Sequence, residues 1–156
     1  MNGNVCCFFG HKTINETKEL RESLTNVIEE LIRDRGVDTF LFGSKSRFNS
    51  LCLDTVAELK KKYPHITRIY IRAEYPYISD EYRAYLLTFC DDTYYPERFL
   101  DAGRAVYVER NREMINKSDI CIFYYDEAYT PSGRKSGTNL ALDYATKKKK
   151  EIIFLP

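Results

Sequence analysis

The feature that most constrains this chain is an alternation of short, buried strand signals with amphipathic helices, in which a glycine ends the first two strands. Val5–Phe9 ends at Gly10, and Thr39–Phe42 ends at Gly43. These runs are apolar at consecutive positions rather than at alternate ones, which is typical of strands buried on both faces. Such strands, separated by helices, predict an α/β fold with an open, mainly parallel sheet and helices on both faces.

The same alternation continues along all 156 residues, a length typical of one domain. A capping-box pattern at Thr13 and Glu16 predicts the start of the first helix, which runs to Gly36. Asn49 and Ser79 are the predicted N-caps of the next two helices. The remaining predicted strands are 67–71, 93–95, 120–124 and 152–155, and the remaining predicted helices are 101–117 and one that begins near 137.

Composition excludes several classes of protein. Lys and Arg number 24 against 23 Asp and Glu, so the net charge of +1 argues against binding nucleic acid through bulk charge. No stretch reaches the roughly 18 apolar residues of a membrane span. The five cysteines have no CxxC spacing, which predicts buried, reduced thiols in a cytoplasmic protein and no metal site.

Glycine, hydroxyl and basic residues follow three of the predicted strands. The carboxyl ends of parallel strands meet at one edge of a sheet, where open α/β folds bind ligands. Glycine lets the backbone approach a phosphate, and a helix N-terminus offers it free N–H groups. The candidate binding residues are Gly10, His11, Lys12, Gly43, Ser44, Arg47, Asn49, Ser136, Gly137, Thr138 and Asn139.

Two arginines on the predicted 101–117 helix extend this set. Arg110 and Arg112 can fork onto a phosphate, or they can belong to a solvated face that pairs with Glu109 and Glu113. The chain has neither GxGxxG nor GxxxxGK[ST], so the standard dinucleotide and P-loop signatures are absent. Each glycine alone is better explained by a turn than by a ligand. Only the coincidence of three such loops at one edge favours a phosphate-binding site.

Tyrosine is the abundant aromatic residue, with 13 copies and no tryptophan. Tyr70 and Tyr124 lie on predicted strands and are expected in the core. Five others lie in loops or in the less regular middle of the chain, where they could form a base-stacking wall or a subunit interface. These five are Tyr75, Tyr77, Tyr94, Tyr95 and Tyr129.

Four segments, in order, resemble one known family. Cys6–Lys12 resembles the Cys-Cys-Phe-Thr-Gly-His-Arg signature of the YpsA-like branch of the SLOG superfamily, and Gly43–Asn49 is similar to the second glycine loop of that branch. Arg110–Asp119 resembles its arginine helix, and Ser136–Ala145 its Gly-Thr helix start. The resemblance covers nearly the whole chain. It implies a single Rossmann-like nucleotide-binding domain over residues 1–156.

The superfamily includes the Lonely Guy phosphoribohydrolases, which pair an arginine with a glutamate. Arg110 falls at the arginine position, but Leu140 and Ala141 occupy the glutamate position. Cleavage of a glycosidic bond needs a carboxylate near the anomeric carbon. Asp143 is a candidate substitute, or simply a solvated helix aspartate. The sequence therefore disfavours catalysis and leaves it open.

Three functions follow from the residues and the resemblance together. The favoured one is binding, for sensing or sequestration, of a nucleotide or an NAD- or ADP-ribose-derived signalling nucleotide. The alternatives are an N-glycosidase or deoxyribosyltransferase-like enzyme acting on nucleoside phosphates, and an interaction protein with a vestigial pocket. The resemblance also implies a homo-oligomer, a dimer or larger. The sequence assigns no role to the loop 126–135.

Overall fold

The sheet contains six parallel strands in the order β4-β3-β2-β1-β5-β6, which confirms the predicted open α/β architecture. The computed structural model describes residues 4–43, 46–125 and 137–155. Within them the strands are β1 (Asn4–Gly10), β2 (Val37–Phe42), β3 (Thr67–Ile71), β4 (Asp92–Tyr94), β5 (Ile120–Tyr124) and β6 (Glu151–Phe154). The α-helices are α1 (Lys18–Arg35), α2 (Arg47–Lys62), α3 (Asp80–Leu86), α4 (Val106–Asn116) and α5 (Gly137–Lys147).

The chain path places a switch in strand order beside β1. From β1 the chain moves outward through β2, β3 and β4, and then crosses back so that β5 pairs with the other side of β1. At the carboxyl edge Gly10 of β1 lies opposite Tyr124 of β5. Open parallel sheets bind ligands beyond such a switch point.

Helices cover both faces of the sheet, because side chains of β1 alternate between two cores. Cys6 and Phe8 point to the core beneath α1 and α2, whereas Cys7 and Phe9 point to the core beneath α4. All four are buried, as expected for a central strand without a solvent face.

Two of the predicted helix caps are wrong. The N-cap of α1 is Thr17, whose hydroxyl accepts from the Leu20 N–H at 3.0 Å, and not Thr13. The backbone near Thr13 serves a different contact, since the Lys12 carbonyl accepts from the Arg47 N–H at 2.8 Å. The N-cap of α2 is Ser46 and not Asn49, because Asn49 donates its own N–H to the Ser46 hydroxyl. Ser79 is confirmed as the cap of α3.

The helix predicted over 101–117 begins later than expected. Residues 97–99 and 103–105 form two 3₁₀ turns, and α4 starts at Val106. Gly103 has a φ of +60°, which a right-handed helix does not accept, so the break lies at this glycine.

All five cysteines are buried and free of disulfides. Burial raises the pKa of the Cys6 and Cys52 thiols well above its ordinary value, so both stay protonated at neutral pH. Within 4–43, 46–125 and 137–155, no three His, Cys, Asp or Glu side chains group in a way that could hold a metal ion. None of the helices described above is both long and apolar enough to cross a membrane.

Candidate functional site

Gly10 ends β1 where the site begins, and its missing side chain makes room for a core residue. A Cβ at this position would lie 2.3 Å from two carbons of the Phe48 ring and 2.5 Å from Phe48 Cβ. Phe48 is fully buried and stacks on Tyr124. Gly10 is therefore explained by packing at the strand end.

Gly43, at the end of β2, makes room for a cation instead. A Cβ there would lie 2.6 Å from Arg110 Cδ and 3.0 Å from the Ile71 carbonyl oxygen. Arg110 reaches across this glycine from α4, and its Nη1 donates to the Gly43 carbonyl at 2.8 Å. The second glycine thus lets a guanidinium lie against the carboxyl end of the sheet.

Asn49 ties the ends of β1 and β2 together. Its Nδ2 donates to the Phe8 carbonyl at 3.3 Å, and its Oδ1 accepts from the Gly43 N–H at 3.4 Å. The residue is buried. Its amide is therefore engaged with backbone of both strands, although sequence reasoning assigned it to a ligand.

The residues that follow β1 divide between buried and exposed positions. His11 is buried, with its ring centroid 5.3 Å from that of Tyr125. Lys12 is exposed. Arg47 is also exposed, and its guanidinium forms an ion pair with the Glu16 carboxylate. Of these three predicted binding residues, Arg47 already has a counter-charge within the protein.

The first turn of α5 lies against Gly10, as the shared edge predicts. The hydroxyl of Thr138 donates to the Gly10 carbonyl at 3.0 Å, and the Asn139 amide donates to the Tyr125 hydroxyl at 3.1 Å. Gly137 is exposed at the start of the helix. Ser44, Ser136 and the loop 126–135, including Tyr129, lie outside the described residues.

The two arginines of α4 have different surroundings. Arg110 is only 8% exposed. Its Nε and Nη2 both donate to Asn111 Oδ1, at 3.3 and 3.2 Å. Arg112 is exposed, pairs with Glu109 at 3.2 Å and lies over the Tyr144 ring. Only Arg110 is held at the carboxyl edge by contact with β2.

Asp143 lies with Arg112 and not with Arg110. Both line a groove of about 320 Å³ between α4 and α5, together with Leu140 and Ala141. Arg110 lines a different cleft, next to β3. These positions therefore do not favour a catalytic pair of Arg110 and Asp143, which an N-glycosidase would use.

Arg72 is a site residue that sequence reasoning missed. It directly follows β3, and it is as buried as Arg110, with 8% exposure. Arg72 and Arg110 line one cleft with Tyr70, Glu74, Tyr75 and Tyr82. The available signal was its position, because a charged residue directly after a strand of a parallel sheet lies at the carboxyl edge.

Burial lowers the pKa of both guanidinium groups of this cleft. Desolvation lowers the pKa of Arg110, although Tyr70 and Tyr107, once ionised, and the charge of Glu74 act in the opposite direction. Desolvation likewise lowers the pKa of Arg72, and the charge of Arg83 adds to that effect. Arginine keeps its proton at neutral pH even so. The cleft therefore holds two buried positive charges.

The tyrosines predicted as a wall or an interface divide into two groups. Tyr94 donates its hydroxyl to Glu113, and Tyr95 donates to the Phe99 carbonyl, so both are part of the packed structure. Tyr75 and Tyr77 are exposed, at 49% and 83%. Tyr75 meets the Tyr82 ring edge-on at 5.8 Å beside the two arginines. Tyr70 and Tyr124, expected in the core, are partly buried against it.

A comparison with protein-family models decides the family. The YpsA model, described as the YspA SLOG family, matches residues 5–156. The chain belongs to this SLOG family. That result confirms the resemblance read from the glycine loops and the arginine helix. No curated protein sequence matches the chain.

Two solved structures share the fold of this SLOG protein. The molybdenum cofactor carrier protein from Chlamydomonas reinhardtii is 14% identical, with a TM-score of 0.58 over 98% of this chain and 76% of that one. A second structure of a Chlamydomonas Moco carrier protein is 15% identical, with a TM-score of 0.54 over 99% of this chain and 77% of that one. At these identities the similarity is one of fold.

Proposed function

We propose that this SLOG protein binds a nucleotide-like small molecule through its phosphate group at the carboxyl edge of the sheet, and so senses, sequesters or carries it. The observation that supports this most is the state of Arg110. Its guanidinium is buried, lies against the Gly43 carbonyl and has only neutral hydrogen-bond acceptors. An oxyanion beside it would supply the missing negative charge.

Further support comes from the position of this guanidinium. The edge is where open parallel sheets bind ligands, and the first turn of α5 lies at the same edge, with Thr138 against Gly10. The exposed Tyr75 lines the same cleft with the half-buried Tyr70 and Tyr82, and a planar base can stack on an exposed ring. The solved neighbours are named as carriers of the molybdenum cofactor, which makes that cofactor a reasonable ligand to test.

The test is a thermal-unfolding panel in which each phosphate-bearing molecule is matched with its phosphate-free counterpart. AMP is compared with adenosine, and NAD, ADP-ribose and the molybdenum cofactor extend the panel. A ligand that binds only the folded state at about 100 times its Kd adds about 2.7 kcal/mol of stability. We expect AMP to raise the melting temperature by roughly 5–10 °C and adenosine to raise it far less.

Two outcomes would contradict the proposal. No shift with any phosphate-bearing molecule would favour an interaction protein with a vestigial pocket. Free adenine in the AMP sample, or free adenine or nicotinamide in the NAD sample, measured by liquid chromatography after incubation, would favour the N-glycosidase instead. The geometry does not support the N-glycosidase hypothesis. Of the two residues at the position of the catalytic glutamate, Ala141 is buried and Leu140 lies in the α4–α5 groove.

A further inference from the structure

Arg72 has three hydrogen bonds and no ion pair with a carboxylate of the described residues. Its Nε donates to the Tyr75 carbonyl at 3.0 Å, its Nη1 to the Thr93 hydroxyl at 3.2 Å and its Nη2 to the Pro76 carbonyl at 3.4 Å. All three acceptors are neutral. A guanidinium carries five N–H groups, so two of them are left for another partner.

Arg110 has the same pattern on the other side of the cleft. It uses three N–H groups, which donate to the Gly43 carbonyl and to Asn111 Oδ1. Two N–H groups remain here as well. Arg72 and Arg110 are the buried arginines of residues 4–43, 46–125 and 137–155, and no carboxylate of those residues lies within 4.0 Å of either one.

Other arginines of the fold do pair with carboxylates. Arg35 binds Glu151 and Arg68 binds Asp91, each through two hydrogen bonds, and Arg98 binds Glu109 and Glu113. These three side chains are more exposed or lie away from the carboxyl edge. A buried charge is costly unless a partner compensates it. The two arginines that need compensation most are thus the two that lack it.

We propose that Arg72 and Arg110 together bind one phosphate group, as a two-arginine subsite beyond the carboxyl end of β3. This inference rests on the proposed function and places the phosphate of the ligand at the two arginines. The cleft itself encloses about 10 Å³, room for roughly one water-sized group. One phosphate oxygen enters it, while the remaining oxygens stay at its mouth and face the four free N–H groups.

Glu74 places a negative charge beside this subsite and so offers a test of it. It is exposed, lines the same cleft and lies near enough for its charge to favour the charged form of Arg110. A carboxylate at the mouth repels an incoming phosphate, so its removal is expected to strengthen binding. Because Glu74 is on the surface, Glu74→Gln tests the subsite without disturbing the core.

The experiment measures affinity by isothermal titration calorimetry at fixed ionic strength. The two probes are inorganic phosphate and AMP, which separate free phosphate from a phosphate ester. Arg72→Gln and Arg110→Gln are each expected to weaken binding about tenfold or more, and Glu74→Gln to strengthen it about threefold. Arg68→Gln is the matched control, because this arginine of β3 is paired with Asp91, and we expect it to change affinity less than twofold.

The outcomes separate this inference from the proposed function. If wild-type protein binds neither AMP nor any other phosphate-bearing molecule, the proposed function fails. If it binds AMP and Arg72→Gln or Glu74→Gln binds equally well, the function stands and the two-arginine subsite is wrong. Stronger binding of inorganic phosphate than of AMP would support the subsite and make free phosphate its ligand. Circular dichroism of each variant checks that a loss of binding is not a loss of fold.

Discussion

The two ends of β3 carry the same residue in opposite electrostatic states. At the amino end, Arg68 is neutralised by Asp91, which accepts from Nε at 3.1 Å, from Nη2 at 3.2 Å and from the Arg68 backbone N–H at 2.8 Å. At the carboxyl end, Arg72 meets only neutral acceptors. The fold pairs the arginine at the amino end of β3 with a carboxylate and gives the one at the carboxyl end only neutral acceptors, at the edge where ligands of open α/β sheets bind.

The largest effect we expect is that the Arg72 variant loses AMP affinity, whereas the Arg68 variant loses stability. Arg72→Gln should weaken AMP binding about tenfold or more. It should change stability little, because the loss of three hydrogen bonds is offset by the removal of a buried charge that has no ion pair. Arg68→Gln should leave AMP affinity unchanged and lower the free energy of unfolding by about 1–2 kcal/mol. Calorimetric titration and urea denaturation of both variants check this. Equal effects of the two substitutions on affinity would break the comparison.

Gly43→Ala tests how the carboxyl edge holds its second arginine. The added Cβ would lie 2.6 Å from Arg110 Cδ, so this flexible side chain must move away from the Gly43 carbonyl. We expect AMP affinity to fall about fivefold, in keeping with the loss of a charged hydrogen bond. The crystal structure of the variant should show Arg110 displaced. An unchanged Arg110 with normal affinity would contradict the role of this glycine.

Gly10→Ala offers a contrast at the neighbouring strand. Its Cβ would meet the fully buried Phe48 at 2.3 Å, which is a clash within the core. We expect a loss of about 1–3 kcal/mol in the free energy of unfolding, as is typical of overpacking. Denaturant unfolding measures this directly. A variant as stable as wild type would mean that Gly10 serves something other than packing.

The smallest effect we expect is on the pH dependence of stability, through the ion pair at the amino end of β3. Partial burial raises the pKa of Asp91, but hydrogen bonds and charge from Arg68 outweigh it and hold the pKa below its ordinary value of 3.8. A carboxyl group with a lowered pKa stabilises the fold above that ordinary value, and the stabilisation is lost as the pH falls below about 4. The acid-induced loss of stability should therefore be smaller in Arg68→Gln than in wild type. Identical pH profiles would contradict the pairing.

Much of the fold could be predicted because it depends on local patterns. Consecutive apolar runs such as Ile120–Tyr124 gave the buried strands, and helical spacing gave the helices between them. The errors lie at helix starts, where several residues can serve as a cap. Thr13 has the glutamate of a capping box three residues on and Thr17 has Leu20 there, yet it is the Thr17 hydroxyl that accepts the Leu20 N–H.

The site could be predicted only in outline. Strand ends placed Gly10, Gly43 and Thr138 at one edge, and the structure brings all three there. Which side chains are already satisfied depends on tertiary contacts that no short motif reports. Asn49 and Arg47 looked like binding residues and are engaged within the protein. Arg72 belongs to no motif, so its buried and uncompensated state became visible only in the structure.

The most direct measurement for the central claim is a crystal structure of the protein grown with AMP. We expect phosphate oxygens about 2.7–2.9 Å from guanidinium nitrogens of both Arg72 and Arg110, as charge-assisted hydrogen bonds require. Such contacts would show that the carboxyl edge binds the charge that the fold leaves uncompensated. A phosphate bound elsewhere, with both arginines still donating only to neutral protein oxygens, would contradict the account.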